Sequence, residues 1–413
     1  MNQPSLSVAL ICDYALSYLG GAQTALVQQA AALAQAGARV VIVSPSDDET
    51  WRRVQPHAAP GVEHISIGAR WTLPGLGLPV LINNPQLRER LKLIFEERAV
   101  DIVHLHSEFG LAAAAIAVAV DQPLSRRIPV LHTVHTFFWQ APPIGQPLVA
   151  RLVRRFHRWA TGLEPTRVRL ADRKADSALR NMTLVVAQKA DLVISPSAHQ
   201  ADRLQEAGLD RVAVVPNTVN LPDAAPITGI DGPIKIIWIG RLVPEKRILT
   251  FVAAAVRATG RLPENAISFT VVGDGQQRAE AQRLASDTSS ITFLGRQDHD
   301  RIAGLLADSH LLALTSRGFD NQPMTVVEAV MAMRGVLYCD PALSEGLDGP
   351  GIASPASEEA LSDVFVDLVR HPDRVIEASQ AAESARQVFS PGRHADSVLE
   401  LYRSAISRVN RVA

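Results

Sequence analysis

The sequence predicts an α/β protein built from two doubly wound, Rossmann-like domains, and three observations support this fold class. Short runs rich in Val and Ile alternate with longer amphipathic helical patterns, which is typical of βαβ units and parallel sheets. The alternation restarts after an aperiodic segment near the middle of the chain. The 413 residues are also too many for one ordinary core, and they suit two domains of about 200 residues each.

The first half begins with the strand pattern SVALICDY at 7–14, which is followed by a helical pattern over about 22–36. Four further strand patterns in this half are ARVVIVSP, DIVHLHS, PVLHTVHTF and ADLVISPS. The apolar run LAAAAIAVAV at 111–120 is about half as long as a membrane span. It therefore predicts a buried helix.

The segment VVPNTVNLPDAAPITGIDGPIK, at 214–235, is rich in Pro, Gly and Asp and predicts a linker. Strand patterns resume after it with IKIIWIG, ISFTVVGDG, ITFLGR and HLLALTS, each followed by a helical pattern. We expect an N-terminal domain over 1–222, a C-terminal domain over 223–390, and a final helix over 391–413 that packs back toward the N-terminal domain. Ligands of such folds bind beyond the carboxyl ends of the strands, which predicts a cleft between the domains as the site.

Composition narrows the classes of function. The 41 basic and 42 acidic residues give a formal charge of -1, which argues against a surface built for nucleic acid. Cys12 and Cys339 lie in apolar strand patterns and predict buried free thiols in a reducing compartment. The first residues carry no charged region of the kind that opens a signal peptide. We expect a cytoplasmic protein and leave open a peripheral contact with the inner face of the plasma membrane.

The stretch WIGRLVPEKRILTF places two cationic residues, Arg241 and Lys246, in the loop that follows Gly240. An Arg provides a planar fork of donors and a Lys a point charge, and together they suit the clamping of a diphosphate leaving group. The alternative is that Glu245, Lys246 and Arg247 form the solvated start of a helix.

The stretch SRGFDNQPMTVVEAVMAMRG, at 316–335, places two acids, Asp320 and Glu328, on either side of a predicted helix start. Pro323 suits the first turn of a helix, and the three amides after it would then be free to bind an anion. Glu328 could accept the two hydroxyls of a ribose. The alternative is a capping box, in which Thr325 caps the helix and Glu328 reaches back to it.

Two pairs of glycines have a functional and a structural interpretation. Gly20 and Gly21 precede a helical pattern and permit a close backbone approach to a ligand, but they also suit an ordinary tight turn. Gly273 and Gly275, in VVGDGQQ, permit the same approach after a strand. Arg278 replaces the third glycine of a dinucleotide fingerprint, and no ribose-binding acid closes a following strand, so we reject a nicotinamide site.

Three groups of histidines and acids also admit two interpretations. His135 ends a strand pattern beside an aromatic cluster and could bond a sugar hydroxyl, or it could be a satisfied structural residue. His104 and His106, in HLHSE, have a metal-like spacing, and we interpret them as lining the acceptor side at a strand end. The triplet DHD at 298–300 resembles a metal-binding motif, but we interpret its acids as helix caps and expect no metal.

The segment over about 147–180 is the one concentration of charge, and its pattern is basic and amphipathic. Its basic and aromatic members include Arg151, Arg154, Arg155, Arg158 and Trp159. Such a pattern suits an anionic membrane surface. The alternatives are a solvated helix that packs its apolar side inward, and a site for an anionic soluble acceptor.

Taken together and in this order, these motifs resemble the retaining family 4 glycosyltransferases of GT-B fold. The segments that carry the resemblance are GGAQ, TVHTF, ADLVISPSAHQADRL, VVPNTVN, IGRLVPEK, VVGDG, ITFLGR and the acid pair from Asp320 to Glu328. They span nearly the whole chain. The resemblance implies two Rossmann-like domains with an interdomain cleft, a nucleotide diphosphate sugar as the donor, and no cofactor.

The resemblance also implies roles for individual residues. Arg241 and Lys246 would bind the distal phosphate of the donor, Glu328 the ribose, and the amides of Met324 and Thr325 the diphosphate. The other residues that it places around the donor are Gly20, Gly21, Gly240, Gly273, Gly275, Arg296, Asn321 and Gln322. His135 would contact hydroxyls of the transferred sugar, and His106 would lie on the acceptor side.

The acid pair departs from the family in two ways. Asp320 stands where the family usually has Glu, so its carboxylate is one methylene nearer the backbone. Asn321, Gln322 and Pro323 stiffen a turn that usually contains glycine. Both departures bear on how the sugar is held and on which donor is used.

The expected function is retaining, metal-independent transfer of a hexosyl unit from a nucleotide diphosphate sugar to a lipid or cell-envelope glycoconjugate. A UDP-sugar is favoured as the donor, and GDP-mannose is compatible with the same motifs. One alternative is a sugar-nucleotide epimerase or hydrolase of the same fold, which needs no acceptor. Another is a non-catalytic subunit that binds sugar nucleotides, and the substitution at Asp320 is its only support in the sequence.

Overall fold

A computed structural model describes residues 5–16, 20–69, 71–73, 78–121, 127–141 and 144–412. The chain divides into two compact units. Unit 1 contains Met1–Thr218 and Pro391–Ala413, and unit 2 contains Val219–Ser390. The division falls inside the segment that the sequence predicts as a linker, four residues before the boundary at 222.

Unit 1 is built on a parallel sheet. Its strands are β1 (Ser7–Ile11), β2 (Arg39–Ser44), β3 (Glu63–Ser66), β6 (Ile102–Leu105), β7 (Val130–Thr133), β8 (Leu192–Ser195) and β9 (Val212–Val214), with a separate hairpin of β4 (Thr72–Leu73) and β5 (Leu78–Pro79). The order in the seven-stranded sheet is β3-β2-β1-β6-β7-β8-β9. The chain therefore reverses direction across the sheet between β1 and β6, which is the switch point of a doubly wound fold.

The helices of unit 1 cover this sheet. They are α1 (Gly21–Gln35), α2 (Asp48–Val54), α3 (Pro85–Glu97), α4 (Gly110–Asp121), α5 (Gln146–Thr161), α6 (Lys174–Ala187), α7 (Ala198–Glu206) and α14 (Pro391–Val412). The run LAAAAIAVAV forms most of α4 and is buried apart from its half-buried last residue. The C-terminal helix α14 buries Val398 and Tyr402 in the same apolar cluster as Leu26 of α1.

Unit 2 is built on a second parallel sheet. Its strands are β10 (Ile234–Ile239), β11 (Ile267–Val272), β12 (Ile291–Gly295), β13 (Leu311–Leu314), β14 (Gly335–Tyr338) and β15 (Gly351–Ala353). Its helices are α8 (Ile248–Thr259), α9 (Arg278–Leu284), α10 (His299–Ala307), α11 (Met324–Met331), α12 (Glu358–Arg370) and α13 (Asp373–Ala385). The strand order β12-β11-β10-β13-β14-β15 places the switch point between β10 and β13.

The predicted fold class is confirmed, since both sheets are parallel and are interleaved with helices along the chain. The aromatic core of unit 2 packs Phe251, Phe269 and Phe365 edge to face, with ring centroids 5.0 to 5.9 Å apart. Cys12 and Cys339 are buried free thiols, as predicted. No helix within the described residues has both the length and the hydropathy needed to cross a bilayer.

Candidate functional site

The sequence-predicted residues of unit 2 lie around its switch point. The loop after β10 carries Arg241 and Lys246, and the loop after the adjacent strand β13 carries Asp320 and leads into α11. Because parallel strands end at the same edge of a sheet, these two loops are neighbours although they are far apart in sequence. This is the edge at which doubly wound folds bind their ligands.

The loop after β10 is anchored through Thr315, which directly follows β13. The Thr315 hydroxyl donates to the backbone carbonyl of Lys246 at 2.8 Å and accepts from the indole Nε1 of Trp238 at 3.0 Å. Both Thr315 and Trp238 are buried. The backbone of Lys246 is thus fixed to the end of β13 and to the core of unit 2.

The side chains of Lys246 and Asp320 form an ion pair. One carboxylate oxygen of Asp320 accepts from the Lys246 ammonium, and the other accepts from the hydroxyl of Ser316. Only 18% of the Lys246 side chain and 9% of the Asp320 side chain are exposed. The alternative of a solvated helix start is therefore wrong for Lys246. Arg241, by contrast, is exposed to solvent.

Gly273 and Gly275 let the loop after β11 pass against the loop after β10. A Cβ on Gly273 would lie 1.9 Å from the carbonyl oxygen of Gly240, and one on Gly275 would lie 2.5 Å from that of Leu242. Both glycines also have positive φ, at +128° and +158°. The structure thus explains these glycines by the close contact of two backbones, and the same contact positions the segment that carries Arg241.

The N-terminus of α11 differs in detail from the sequence expectation. Pro323 is the N-cap residue, directly before the helix, and Thr325 lies inside the first turn. The capping-box alternative is therefore wrong. The amide of Val326 donates to the carbonyl of Pro323 at 3.0 Å, so the expectation that Val326 offers its amide to an anion is also wrong. Met324 and Thr325 keep amides that helix geometry leaves without an intrahelical acceptor.

Glu328 lies in α11 with only 6% of its surface exposed. Burial raises the pKa of its carboxyl group to about 8, because the charged form loses its hydration. The preceding residues Asn321 and Gln322 are also buried. A ligand that donates hydrogen bonds to this carboxyl group would favour its charged form and so promote loss of its proton.

Asp340, which directly follows β14 and Cys339, is a supporting residue that the sequence reasoning missed. Its carboxylate accepts from the amide of Gly318 at 2.6 Å and from the amide of Ala342 at 3.1 Å, so it holds the loop that carries Asp320. Thr315 was missed as well. The available signal for both was a polar residue one or two positions after a buried strand, at the edge where the site lies.

Arg296, expected from the sequence on the donor side, is exposed and directly follows β12. Asp298 occupies the N-cap position of α10, but its side chain makes no capping hydrogen bond. The side chains of His299 and Asp300 lie outside the described residues. Across the described part of the chain, no group of three or more His, Cys, Asp or Glu side chains is arranged to hold a metal ion.

In unit 1, Gly20 and Gly21 lie at the start of α1. Gly20 is the N-cap residue with φ of -82°, and Gly21 is the first residue of the helix. The φ of Gly20 is one that any residue adopts, so a left-handed turn is not the reason for glycine here. The helix follows the loop after β1, at the switch point of this sheet.

His135 lies beyond the end of β7 and is half-buried. Its Nε2 and the Nδ1 of His106 are 2.9 Å apart and share a hydrogen bond. Burial lowers the pKa of His135 to about 4, and it lowers that of His106 well below its ordinary value. Both rings are therefore neutral near pH 7, and one donates to the other.

The interpretation of His104 and His106 as lining an acceptor surface is wrong in this structure. His104 is fully buried, and its ring nitrogens bond the hydroxyls of Tyr402 and Thr133, each at 2.7 Å. His106 is only 2% exposed. His106 instead orients His135 through their shared hydrogen bond.

Unit 1 also buries two acids that the sequence reasoning did not identify. Asp13, after β1, accepts from the amides of Leu111 and Ala112 at the start of α4, at 2.7 and 3.2 Å. Glu108 is buried near Tyr14, and loss of hydration raises the pKa of its carboxyl group to about 8. Asp13 thus fixes the end of β1 to the start of α4. Glu108 accepts from the hydroxyls of Tyr14 and of Thr183 in α6.

The basic segment at about 147–180 continues through a loop into the start of α6, and its first part, up to Thr161, forms α5. Arg151, Arg155, Arg158 and Trp159 are exposed on it, and Arg154 is half-buried. Helix α5 belongs to unit 1. Its residues are distant in sequence from the loop after β1 at the switch point of that unit.

Comparison with known families gives two adjacent matches. The sequence model described as Glycosyltransferase Family 4 matches residues 19–222, and the one described as Glycosyl transferases group 1 matches residues 233–371. Together they cover most of the chain, and the gap between them, 223–232, lies within the predicted linker.

Individual relatives are distant in sequence. A phosphatidyl-myo-inositol mannosyltransferase of Mycobacterium tuberculosis is 22% identical over 345 residues, which cover 81% of this chain and 78% of that protein. An alpha-monoglucosyldiacylglycerol synthase of Acholeplasma laidlawii is 23% identical over 98% of this chain and 99% of that protein. The crystal structure of Anabaena Alr3699/HepE in complex with UDP-glucose aligns with a TM-score of 0.63 at 19% identity, and the alignment covers 96% of this chain and 99% of that chain.

Proposed function

Since this chain belongs to the retaining glycosyltransferases of family 4, with the GT-B fold, we propose that it transfers a hexosyl unit from a UDP-sugar to a lipid acceptor at a membrane surface. That the enzyme is a retaining hexosyltransferase using a nucleotide sugar follows from the family. The identity of the nucleotide, the class of acceptor and the roles of single residues are the proposed part.

One observation carries the proposal for the donor site. The Lys246–Asp320 ion pair joins the loops after β10 and β13 at the switch point of unit 2, beside the helix that contains Glu328. Arg241 shares the first of these loops and is open to solvent. Two cations with helix amides nearby suit a diphosphate, and a buried carboxyl group suits the hydroxyls of a ribose.

The proposed reaction proceeds on one face of the sugar. The acceptor hydroxyl oxygen bonds to the anomeric carbon on the face from which the diphosphate leaves, and the bond between that carbon and the phosphate oxygen breaks. The hydroxyl proton passes to the departing phosphate oxygen. Arg241, Lys246 and the amides of Met324 and Thr325 stabilise the charge that grows on the diphosphate. His135 bonds a sugar hydroxyl and is held in place by His106.

Asp320 acquires a more specific role than the resemblance alone implies. Both of its carboxylate oxygens already accept hydrogen bonds, from Lys246 and Ser316. We assign it the positioning of the Lys246 ammonium, in addition to any contact with the sugar. The shorter side chain of Asp, relative to Glu, is consistent with this pairing.

The nature of the donor and acceptor is supported by the relatives. The names of two relatives specify phosphatidyl-myo-inositol and monoglucosyldiacylglycerol, and related structures contain UDP or UDP-glucose. A lipid acceptor and a UDP-sugar are therefore our choice over a soluble acceptor and GDP-mannose.

The test is release of nucleotide from a panel of UDP-, GDP- and ADP-sugars, with and without a membrane-lipid extract and in the presence of EDTA. We expect release from a UDP-sugar that requires the extract and persists in EDTA. Equal release without the extract would instead identify a hydrolase or an epimerase. Donor binding without any release would identify a non-catalytic subunit, and Asp320→Glu should then restore turnover.

A further inference from the structure

A basic groove of about 940 Å³ lies in unit 1, between α5, the segment 164–172 and the start of α6. Seven of the side chains that line it are Arg or Lys, and two are acidic. None of its residues belongs to the loops around the switch point of unit 2 or to the pair of His106 and His135 in unit 1. Its charge therefore calls for a separate explanation.

Most of the cations in this groove have no acidic partner. Arg158 pairs with Glu164 at 2.7 Å, and Arg169 pairs with Asp172 at 3.4 Å. The remaining five are Arg151, Arg154, Arg155, Arg167 and Lys174. None of these five forms an ion pair with a carboxylate among the described residues. Five uncompensated positive charges in one concave surface favour a ligand with clustered negative charge.

The outward face of α5 carries exposed apolar side chains, with the exposed Arg155 beside them. The helix packs on the core of unit 1 through Ala150, His157, Ala160 and Thr161. Leu148, Leu152 and Trp159 recur at helical spacing on the opposite face, and they are 62%, 56% and 50% exposed. The exposed ring of Trp71 lies beside that of Trp159, with centroids 6.0 Å apart. The inward-packing alternative from the sequence therefore does not apply to these apolar residues.

The arginines occupy the flank between these two faces. We call Leu148, Leu152 and Trp159 the apolar stripe of α5. At 100° per residue, Arg151, Arg154 and Arg158 lie to one side of this stripe, toward the groove. A helix with an apolar pole and cations on its flank has the geometry of a helix that lies in the plane of a membrane interface. The apolar side chains would enter the acyl boundary while the arginines remain at the height of the phosphates.

We propose that α5 and its groove dock on a bilayer that contains anionic phospholipids, with headgroup phosphates held by Arg151, Arg154 and neighbouring cations. This inference rests on the proposed function for the choice of a membrane. A soluble phosphate compound could bind the same cations in the groove. It would not account for the exposed apolar side chains Leu148, Leu152 and Trp159. The stripe and the groove together match a lipid surface.

The test is binding of the whole protein to vesicles, without donor, at low ionic strength. We expect it to bind vesicles of phosphatidylcholine mixed with phosphatidylglycerol, and to bind phosphatidylcholine alone weakly. Arg151→Gln/Arg154→Gln should lower the partition coefficient about 25-fold, since each cation at such a surface is worth about fivefold. Leu148→Ser/Leu152→Ser should also weaken binding, and added salt should weaken the binding of the wild type.

Matched controls separate the site from general effects of charge and hydropathy. Arg403→Gln/Arg408→Gln removes two exposed cations from α14 of the same unit, and Leu93→Ser removes an exposed leucine from α3. Both should bind vesicles like the wild type. Equal losses in the control and groove variants would overturn the proposal.

Two further results decide between the sources of phosphate and between the two proposals. If glycerol phosphate binds the wild type but anionic vesicles do not, the groove serves a soluble anion and the membrane proposal is wrong. If vesicle binding depends on the groove while no nucleotide is released with the lipid extract, the docking surface stands and the proposed transfer fails. If release depends on the extract but vesicle binding ignores the groove, only the docking proposal fails.

Discussion

Lys246 is the side chain whose contacts bear most directly on the proposed donor site. Its ammonium is largely buried, paired with Asp320, and 5.5 Å from the centroid of the Phe319 ring. A buried cation beside an exposed one, Arg241, concentrates positive potential at the end of β10. Such a fixed charge stabilises an anion more effectively in the transition state than a mobile surface lysine would.

Lys246→Ala should lower kcat about 100- to 1,000-fold at saturating UDP-sugar, the cost of losing one preorganised donor to a developing negative charge. Lys235→Ala removes an exposed cation from the other end of β10 and should leave kcat unchanged. Steady-state nucleotide release measures both. Normal turnover in Lys246→Ala, or in Arg241→Ala, would refute the phosphate clamp.

Glu328 should lose its proton when the donor binds. With a pKa of about 8, this carboxyl group is mostly protonated at pH 7. Ribose hydroxyls that donate to it favour the carboxylate, so binding should release up to about one proton. Calorimetry in buffers of different ionisation enthalpy measures that number.

A matched pair of variants tests the assignment of this proton. Glu328→Gln should release no proton and bind a UDP-sugar about 10- to 100-fold more weakly, as expected for losing a charged hydrogen bond. Glu383→Gln, at an exposed position of α13, should behave like the wild type. Proton release that is unchanged in Glu328→Gln would place it on another group.

The contact between two loops, after β10 and after β11, is a feature of the elements rather than of a single side chain. Gly273→Ala would place a Cβ within 1.9 Å of the Gly240 carbonyl, at a φ of +128° that other residues rarely adopt. We expect the free energy of unfolding to fall by about 1–3 kcal/mol. The shift of Gly240 should also displace Arg241 and weaken binding of a UDP-sugar.

Gly304→Ala is the control for this change, because a Cβ there meets nothing within 4 Å and the residue lies in α10. It should retain nucleotide binding and gain slightly in stability. Urea unfolding and nucleotide titration measure both variants. Equal behaviour of the two alanine variants would show that the loop contact is not needed.

The sequence predicted most of the strands because buried parallel strands appear as continuous runs of Val, Ile and Leu. It did not predict β3, β9 and β15, which are short edge strands with partly exposed residues. That Lys246 and Asp320 belong to one site was predicted only from the family resemblance. Their pairing spans 74 positions and depends on β10 and β13 being neighbours, which no local pattern encodes.

The two units of the chain should differ in their sensitivity to acid. In unit 1, loss of hydration lowers the pKa values of six histidines: His104, His106, His132, His135, His157 and His394. They are neutral in the folded state, and their contribution to stability is present above the ordinary histidine pKa of 6.5. It is lost as the pH falls toward about 3 to 4.

For acids with raised pKa values, the contribution to stability depends on pH with the opposite sign. Their contribution is present below the ordinary carboxyl value and is lost as the pH rises. In unit 1, Asp13 and Glu108 oppose the six histidines but are outnumbered. In unit 2, Glu328 contributes stability that is lost as the pH rises from about 4.5 to about 8. The half-buried His310 contributes with the opposite dependence on pH. Unit 1 should therefore be the more sensitive to acid.

On acidification we expect unit 1 to lose its amide protection before unit 2, as measured by hydrogen exchange with mass spectrometry over the peptides of each unit. His132→Leu removes one buried histidine, so unit 1 should take up about one proton fewer when it unfolds in acid, and its loss of protection should depend less steeply on pH. His371→Leu, at an exposed position of unit 2, should leave it unchanged. Loss of protection in both units at the same pH, or in unit 2 first, would show that the histidines do not control acid unfolding.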